Sequence, residues 1–393
     1  MNERQRLRRE LVADLVERSV ILTAAVERAF LSVAREQFVN ATNTGGLESV
    51  YADQSIVTRQ DAFGQATSSS TAPSIMAAMI EGLAIEPGMN VLEIGTGTGY
   101  NAAILRRLVG PRGRVTSIEV DPDVAKDAER ALRRARCDVS VVVGDGRKGF
   151  ASRAPYDRIL VAAAALDVPR AWLEQLVPDG RIVFPLRLSE DILNPQPVPV
   201  FRRRGRELES IAMESSGFMP LREAEDTLAN DGGELWAKER IGGETRTFAR
   251  LRGRALERLT PRAREALLRT LMMPPRTRGL DRPLTKDQLR GFHAYLALTA
   301  SPREICWGPD TWNYAVFDTR GMSLAAMASG GSSVACHGTS VAEARFLRHL
   351  ERWQTQGSRG LTSLRVAVRF GGRQRDAWRV VRRGEATLAF DWS

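Results

Sequence analysis

The chain has 393 residues, 43% of them hydrophobic, enough for two or three ordinary domains with cores of their own. Its three cysteines (Cys137, Cys306, Cys336) form no C-x-x-C pair and its three histidines (His293, His337, His349) no i, i+4 pair, which argues against a disulfide framework and a metal site. A charged start with no following signal-type apolar segment, and no apolar run long enough to span a bilayer, predict a cytoplasmic protein with no membrane partner.

Leu7, Leu11, Leu15, Val20, Leu22, Val26, Phe30 and Leu31 recur at three- and four-residue steps, which predicts two amphipathic helices within residues 2–38. Gly45 and Gly46 break that pattern. The polar stretch through Ser70 reads as a loop, followed by a helix opening at Pro73. From Met89 onward short apolar runs alternate with helical stretches, the pattern of β-α-β units around a parallel sheet. Strands are expected at 91–94, 114–120, 139–143, 156–163 and 182–186, and helices at 100–108 and 122–135. This is an α/β, doubly wound Rossmann-like domain, placed at residues 1–188. The alternation then stops at a proline-rich segment, 194–200, and an exposed hairpin tip, 202–206. Helices at 260–273, 285–300 and 341–356 with strands at 313–318, 364–370 and 377–381 predict an α+β C-terminal domain at 189–393.

Charge divides the halves in the same way. Residues 1–186 hold 23 basic and 23 acidic side chains and residues 187–393 hold 34 and 24, so the second half carries the whole formal net charge of +10. It also carries six of the seven tryptophans. Only four cations are lysines, and arginine suits planar carboxylate or phosphate partners. The plainer readings are a solvated arginine surface and tryptophans buried in a core.

The segment Glu93-Ile94-Gly95-Thr96-Gly97-Thr98-Gly99-Tyr100-Asn101 sets three glycines two apart between a strand and a helix, where the backbone can approach a ligand closely. A G-x-G-x-x-G dinucleotide fingerprint fails at Tyr100. Glu119, followed by Val120, closes the second strand and can accept both ribose hydroxyls. Asp145, followed by Gly146, comes after the third strand and can accept from an adenine amine. The three features in order fit S-adenosylmethionine, with Glu93, Gly95, Thr96, Gly97, Thr98, Gly99, Asn101, Glu119, Val120, Asp145 and Gly146 as its contacts. After strand four the run Val161-Ala162-Ala163-Ala164-Ala165 lacks the polar loop that grips a base amine. A carboxylate acceptor needs no such loop, being already an anionic nucleophile at neutral pH.

Residues 26–186 resemble the protein-L-isoaspartate O-methyltransferases. The resemblance rests on Ala29-Phe30-Leu31-Ser32-Val33-Ala34-Arg35-Glu36-Gln37-Phe38-Val39, Tyr51-Ala52-Asp53, Gly64-Gln65, Gly144-Asp145-Gly146-Arg147, Ala154-Pro155-Tyr156-Asp157-Arg158 and Pro178-Asp179-Gly180-Arg181. It implies methyl transfer to an aspartyl or isoaspartyl carboxylate of a peptide, the ester then closing to a succinimide. By the same resemblance Thr71, two residues before Pro73, and Ser70 take the catalytic positions, and Ser68 and Ser69 contact substrate. The run from Gly64 to Pro73 is three residues longer than the family pattern, so recognition of ordinary isoaspartate is expected to have changed. The plainer reading is that these hydroxyls cap the Pro73 helix.

The C-terminal half, at Trp312-Asn313-Tyr314-Ala315-Val316, Val334-Ala335-Cys336-His337-Gly338, Leu350-Glu351-Arg352-Trp353 and 361–368, resembles the extension of relatives associated with ribosomally made peptides such as lanthipeptides and graspetides. That resemblance implies an acidic, modified precursor peptide as partner, methylated at a chosen Asp to give an aspartimide that can open to isoaspartate. General isoaspartyl repair is the alternative. An RNA methyltransferase, suggested by Arg202–Arg206 and by Arg373-Gln374-Arg375, is disfavoured by the missing amine-gripping loop and the absence of an RNA-binding motif.

Overall fold

The computed structural model describes residues 2–40, 45–60, 66–189, 196–216, 221, 234–241, 244–252, 254–257, 259–301, 304–306, 314–328, 330–371 and 376–393. Gly64, Gln65, Trp307, Trp312, Asn313 and 373–375 lie outside them.

The predicted β-α-β alternation is present. Strands Asn90–Ile94, Arg114–Glu119, Ser140–Val143, Tyr156–Val161 and Leu176–Val183 pair in parallel. Val91, Leu92, Ile94, Ile159, Leu160 and Val161 are buried, as expected of strands covered on both faces. Helix Pro122–Arg134 opens on its proline, with the Asp121 carboxylate accepting from the Asp123 and Val124 amides. The two N-terminal helices are Glu3–Glu17 and Ala24–Ser32.

The sheet does not end at residue 188. Strand Gln196–Arg204 pairs antiparallel with Leu176–Val183, and Glu207–Ser216, Leu364–Phe370, Ala386–Trp392 and Arg379–Arg383 follow, giving ten strands in one sheet among the described residues. One apolar cluster runs from Leu92 and Ile159 through Phe184 and Phe201 to Val366 and Phe390. Phe184 and Phe201 stack across position 188 with ring centroids 5.0 Å apart. Arg383, on the last hairpin, donates to the carbonyls of Leu166, Arg187 and Leu188, joining the chain's end to the loops that follow the parallel strands.

A second sheet of five strands, with Ser323–Met327 in the middle, is packed by helices Lys286–Thr299 and Ser340–Thr355 through Phe292, Phe346 and Trp353. Trp172 and Trp353 are fully buried, and Trp378 and Trp392 meet edge to face at 5.7 Å. These four tryptophans serve packing. His337 is buried with Nδ1 3.3 Å from the Thr270 carbonyl, also a packing role.

Three expectations are corrected. The stretch before Pro73 is not a loop throughout: it contains helix Leu47–Tyr51 and an antiparallel ribbon, Ile56–Gln60 with Ala66–Ser70. Its alternation is carried by hydroxyls, Ser68 and Ser70 facing inward, which a hydrophobic period cannot register. The proline-rich segment is part of a strand. Its pairing to Leu176–Val183 begins only at Val200, so the missing N–H groups of Pro197 and Pro199 are not needed there. The strand expected at 182–186 runs Leu176–Val183 instead, interrupted near Asp179, whose φ is +58°.

Phe201→Ala is expected to lower stability by about 3–5 kcal/mol in urea unfolding followed by near- and far-UV circular dichroism. Both signals should move together; a loss confined to a second, separate transition would show that the added strands unfold on their own.

Candidate active site

The loop leaving strand Asn90–Ile94 turns on glycines. Gly95, Gly97 and Gly99 have φ of +92°, +53° and +84°, a region costly for other residues. At Gly97 space is limiting as well, since a Cβ there would stand 3.2 Å from the Ser69 carbonyl oxygen. Gly146 is similarly constrained, its Cβ position lying 2.2 Å from Ile94 Cγ2. Helix Tyr100–Val109 starts immediately beyond.

Glu93 and Asn101 lie behind this loop, bonded to one another. Asn101 Nδ2 donates to Glu93 Oε1 at 2.6 Å and Ser117 Oγ to Glu93 Oε2 at 2.5 Å, while Thr96 and Ser117 hydroxyls meet at 2.6 Å. All four side chains are buried. Burial pushes the Glu93 carboxyl up to about 7, against the Ser117 and Asn101 hydrogen bonds, with the nearby Glu119 charge adding to the rise.

Glu119 occupies the end of the next strand. Its Oε2 accepts from the Gly97 amide at 2.9 Å, and Oε1 from the Val120 amide at 3.0 Å and the Asp121 amide at 3.3 Å. The carboxylate is thus fixed against the turn of the glycine loop. Asp145 accepts from the Arg147 amide at 3.0 Å and from its guanidinium at 2.9 and 3.1 Å. Burial alone would raise its carboxyl, but the Arg147 bonds outweigh that and hold it below the usual range. The Gly146 carbonyl accepts from Trp172 Nε1 at 2.8 Å, securing this turn to the core.

The ribbon strand Ala66–Ser70 passes over the loop, Ser69 against Gly97. Ser68 Oγ accepts from Thr58 at 3.1 Å and is buried; Ser69 and Thr71 are half-buried. Ser70 Oγ faces Arg35, whose Nη2 donates to it at 3.4 Å and to the Thr71 carbonyl at 3.2 Å. Arg35 also donates to the Val50, Ala52 and Gln54 carbonyls, lies 5.7 Å over the Tyr100 ring, and is fully buried. Sequence reasoning assigned Arg35 no role. The available signal was a guanidinium in the apolar stretch 29–39, but its five oxygen partners come from residues 15–36 positions away. Capping of the Pro73 helix falls elsewhere: the Ser74 amide donates to Asp53 and the Ala72 amide to Ser55.

The structure therefore brings Gly95, Thr96, Gly97, Thr98 and Gly99 together with Glu119, and sets Ser69 against Gly97 with Ser68 alongside Gly97 and Thr98. A loop of glycines with positive φ, tight against its neighbours at Gly97 and Gly99, with a carboxylate held at the next strand end, suits the adenosyl and ribose groups of S-adenosylmethionine. Fold and site define a class I S-adenosylmethionine-dependent methyltransferase. The sequence model of the Protein-L-isoaspartate(D-aspartate) O-methyltransferase family matches residues 5–226. A protein-L-isoaspartate O-methyltransferase of Methanothermobacter thermautotrophicus is 37% identical over 215 residues, covering 54% of this chain and 94% of the relative. That of Hyperthermus butylicus is 39% identical over 223 residues, covering 54% and 88%. The fold resembles a solved protein-L-isoaspartate O-methyltransferase across 93% of this chain and 97% of that one, with TM-score 0.53 and 24% identity. The chain belongs to the protein-L-isoaspartate(D-aspartate) O-methyltransferase family, a family of S-adenosylmethionine-dependent carboxyl methyltransferases. Among the described residues no group of three or more His, Cys, Asp or Glu could hold a metal ion, and no helix is long and apolar enough to cross a membrane.

Glu119→Ala is expected to weaken S-adenosylmethionine binding by about 1.5–3 kcal/mol in calorimetry; unchanged affinity would remove Glu119 from the donor site. Glu93 gives a pH signature. Its carboxyl is raised in the fold, so the folded state holds more protons, and the stability from Glu93 is complete at low pH and lost as pH rises toward 7 and above. Relative to Glu93→Gln, the wild type should lose up to about 3 kcal/mol between pH 4 and pH 8. Parallel stability profiles would refute this.

Proposed function

We propose that this chain methylates the free carboxylate of an isoaspartyl residue in a polypeptide, with Thr71 orienting the acceptor. The observation that carries the reading is the ribbon strand Ala66–Ser70 laid over the glycine loop at Gly97 and Ser69, in a chain of this family. S-adenosylmethionine supplies an electrophilic methyl on a sulfonium. The acceptor carboxylate is ionised at neutral pH, so no general base is required. What the protein supplies is position and a shielded site. Gly95, Gly97 and Gly99 let the backbone approach the donor, with Thr96, Thr98, Val120 and Gly146 forming the adjoining walls. Glu119 is placed for the ribose. Asp145 can take the adenine amine at the remaining acceptor position of Oδ2, which already accepts from Arg147 Nη2, while Oδ1 keeps the Arg147 amide and Nε. Glu93 and Asn101 brace the loop from behind. The family resemblance gives the Thr71 hydroxyl the role of donor to the acceptor carboxylate. Ser70, whose Oγ accepts from Arg35, keeps its own O–H as a second donor, and Ser68 and Ser69 hold the strand at the right depth. A donor held there would give up its methyl to the carboxylate oxygen, the S–CH3 bonding pair staying on sulfur so that a neutral thioether would remain. The ester then collapses without further protein residues: the next amide nitrogen attacks, loses its proton, and methanol leaves a succinimide.

A narrower reading is that residues 189–393 select one aspartyl residue of an acidic precursor peptide, giving an aspartimide. It is favoured by the Arg383 bonds to the Leu166, Arg187 and Leu188 carbonyls and by the Leu221 amide bond to the Ala164 carbonyl, which put the added region beside the acceptor side of the sheet. General isoaspartyl methylation is favoured by the close relatives and by the fold shared along almost the whole chain with a solved enzyme of that kind.

Isoaspartyl and aspartyl versions of one peptide, incubated with labelled donor, test both readings. Methyl incorporation into the isoaspartyl peptide, followed by methanol release, is expected. Transfer confined to an aspartyl residue of a particular peptide would support the narrower reading, and transfer to neither would overturn the first.

A further inference from the structure

A second cleft, of about 310 Å³, opens between the ribbon and helix Pro122–Arg134. It shares Gly97, Thr98 and Ser68 with the site above, but neither Glu119 nor Asp145 lines it. Its floor is apolar, from Phe38, Val39, Val57, Val124, Ala128 and Ala131. Around this floor stand Arg59, Arg130 and Arg134 with a single acid, Asp127. Asp127 Oδ2 pairs with Arg59 at 2.5 Å and Oδ1 pairs with Arg130. Arg134 bonds the Gln37 carbonyl at 3.5 Å and has no carboxylate on it among the described residues. Among the lining residues three guanidinium groups face one carboxylate, while Asp121 and Asp123 also act on Arg59 from beside the cleft.

We propose that this cleft receives an acidic side chain of the polypeptide acceptor, close along the chain to the residue that is methylated. The proposal rests on the isoaspartyl or aspartyl acceptor reading above. Two observations point to a peptide carboxylate. Guanidinium forks match carboxylates in bidentate geometry, and a lining with more guanidinium groups than carboxylates is complementary to an acidic segment. The ribbon is also two-stranded among the described residues, so Ile56–Gln60 offers an unpaired edge where Val57, Thr58 and Arg59 line the cleft and Val57 is 48% exposed. An extended chain added to such an edge sends alternate side chains to one side about 6–7 Å apart. One side chain can then sit in the cleft while a neighbour two residues away reaches the carboxylate position over Gly97.

The test uses the full chain and two fluorescent peptides that share one isoaspartyl acceptor and carry Glu or Gln two residues to either side. Fluorescence anisotropy should show the Glu peptide binding at least tenfold more tightly, the difference shrinking with added salt. The double substitution Arg130→Glu with Arg134→Glu should abolish or reverse this preference while leaving affinity for the Gln peptide and thermal stability unchanged. Arg59→Gln provides an independent check from the ribbon side. Equal affinity for the two peptides, a preference that survives the substitutions, or equal competition by a single-stranded RNA of the same length would overturn the proposal. Methyl transfer in the same samples separates it from its parent. Charge-dependent binding without methylation of either peptide would keep the cleft and reject the acceptor chemistry, and methylation without charge preference would do the reverse.

Discussion

The buried Arg35 guanidinium is the constraint on which the candidate site depends. An uncompensated buried cation is costly, so its terminal nitrogens Nη1 and Nη2 take the oxygens the fold provides, while Nε finds none. Here they are four main-chain carbonyls and the Ser70 hydroxyl, with the Tyr100 ring beneath. Those partners belong to helix Leu47–Tyr51, the segment after it, and the end of the ribbon, which add Val50, Tyr51 and Ile56 to the core. Arg35 converts them into one rigid wall. Burial lowers the guanidinium's affinity for its proton, opposed by Tyr100, Asp53 and Tyr51, yet an arginine remains charged and keeps all its donors.

Two glutamates at neighbouring strand ends show how placement divides roles. Glu93 is enclosed by Asn101 and Ser117 and tends toward its neutral form, so it stabilises the root of the glycine loop. Glu119 is held by three main-chain amides at the loop's turn, where a ligand hydroxyl can still be added to the oxygens' remaining acceptor positions. The chemistry of the side chain is the same in both. The difference lies in which strand end faces the core and which faces the cleft.

The C-terminal half is joined to the catalytic half by hydrogen-bonded strands and by a shared core. Phe201 on Phe184 and Arg383 on the 166–188 carbonyls couple the added strands to the loops that follow the parallel strands. A surface attached in this way can shape the acceptor side of the sheet without contributing a catalytic group. Most of the described tryptophans in this half are spent on packing, leaving arginine as the chemistry available at the surface.

The doubly wound core, the glycine loop, Glu119 and the turn at Asp145 were legible in the sequence, because each is a local pattern: periodic apolar strands, glycines at fixed steps, an acid at a strand end. Helices 260–273, 285–300 and 341–356 were legible for the same reason and match Pro261–Met272, Lys286–Thr299 and Ser340–Thr355. The ribbon before Pro73 was not, since its inward positions are hydroxyls. The strand through Pro197 and Pro199 was hidden by residues that ordinarily exclude strands. Only the tertiary structure decided that Arg35 holds the ribbon strand Ala66–Ser70 and that one sheet crosses residue 188. Each of these is a pairing between segments distant in the chain, and periodicity and motif spacing carry information only about neighbours.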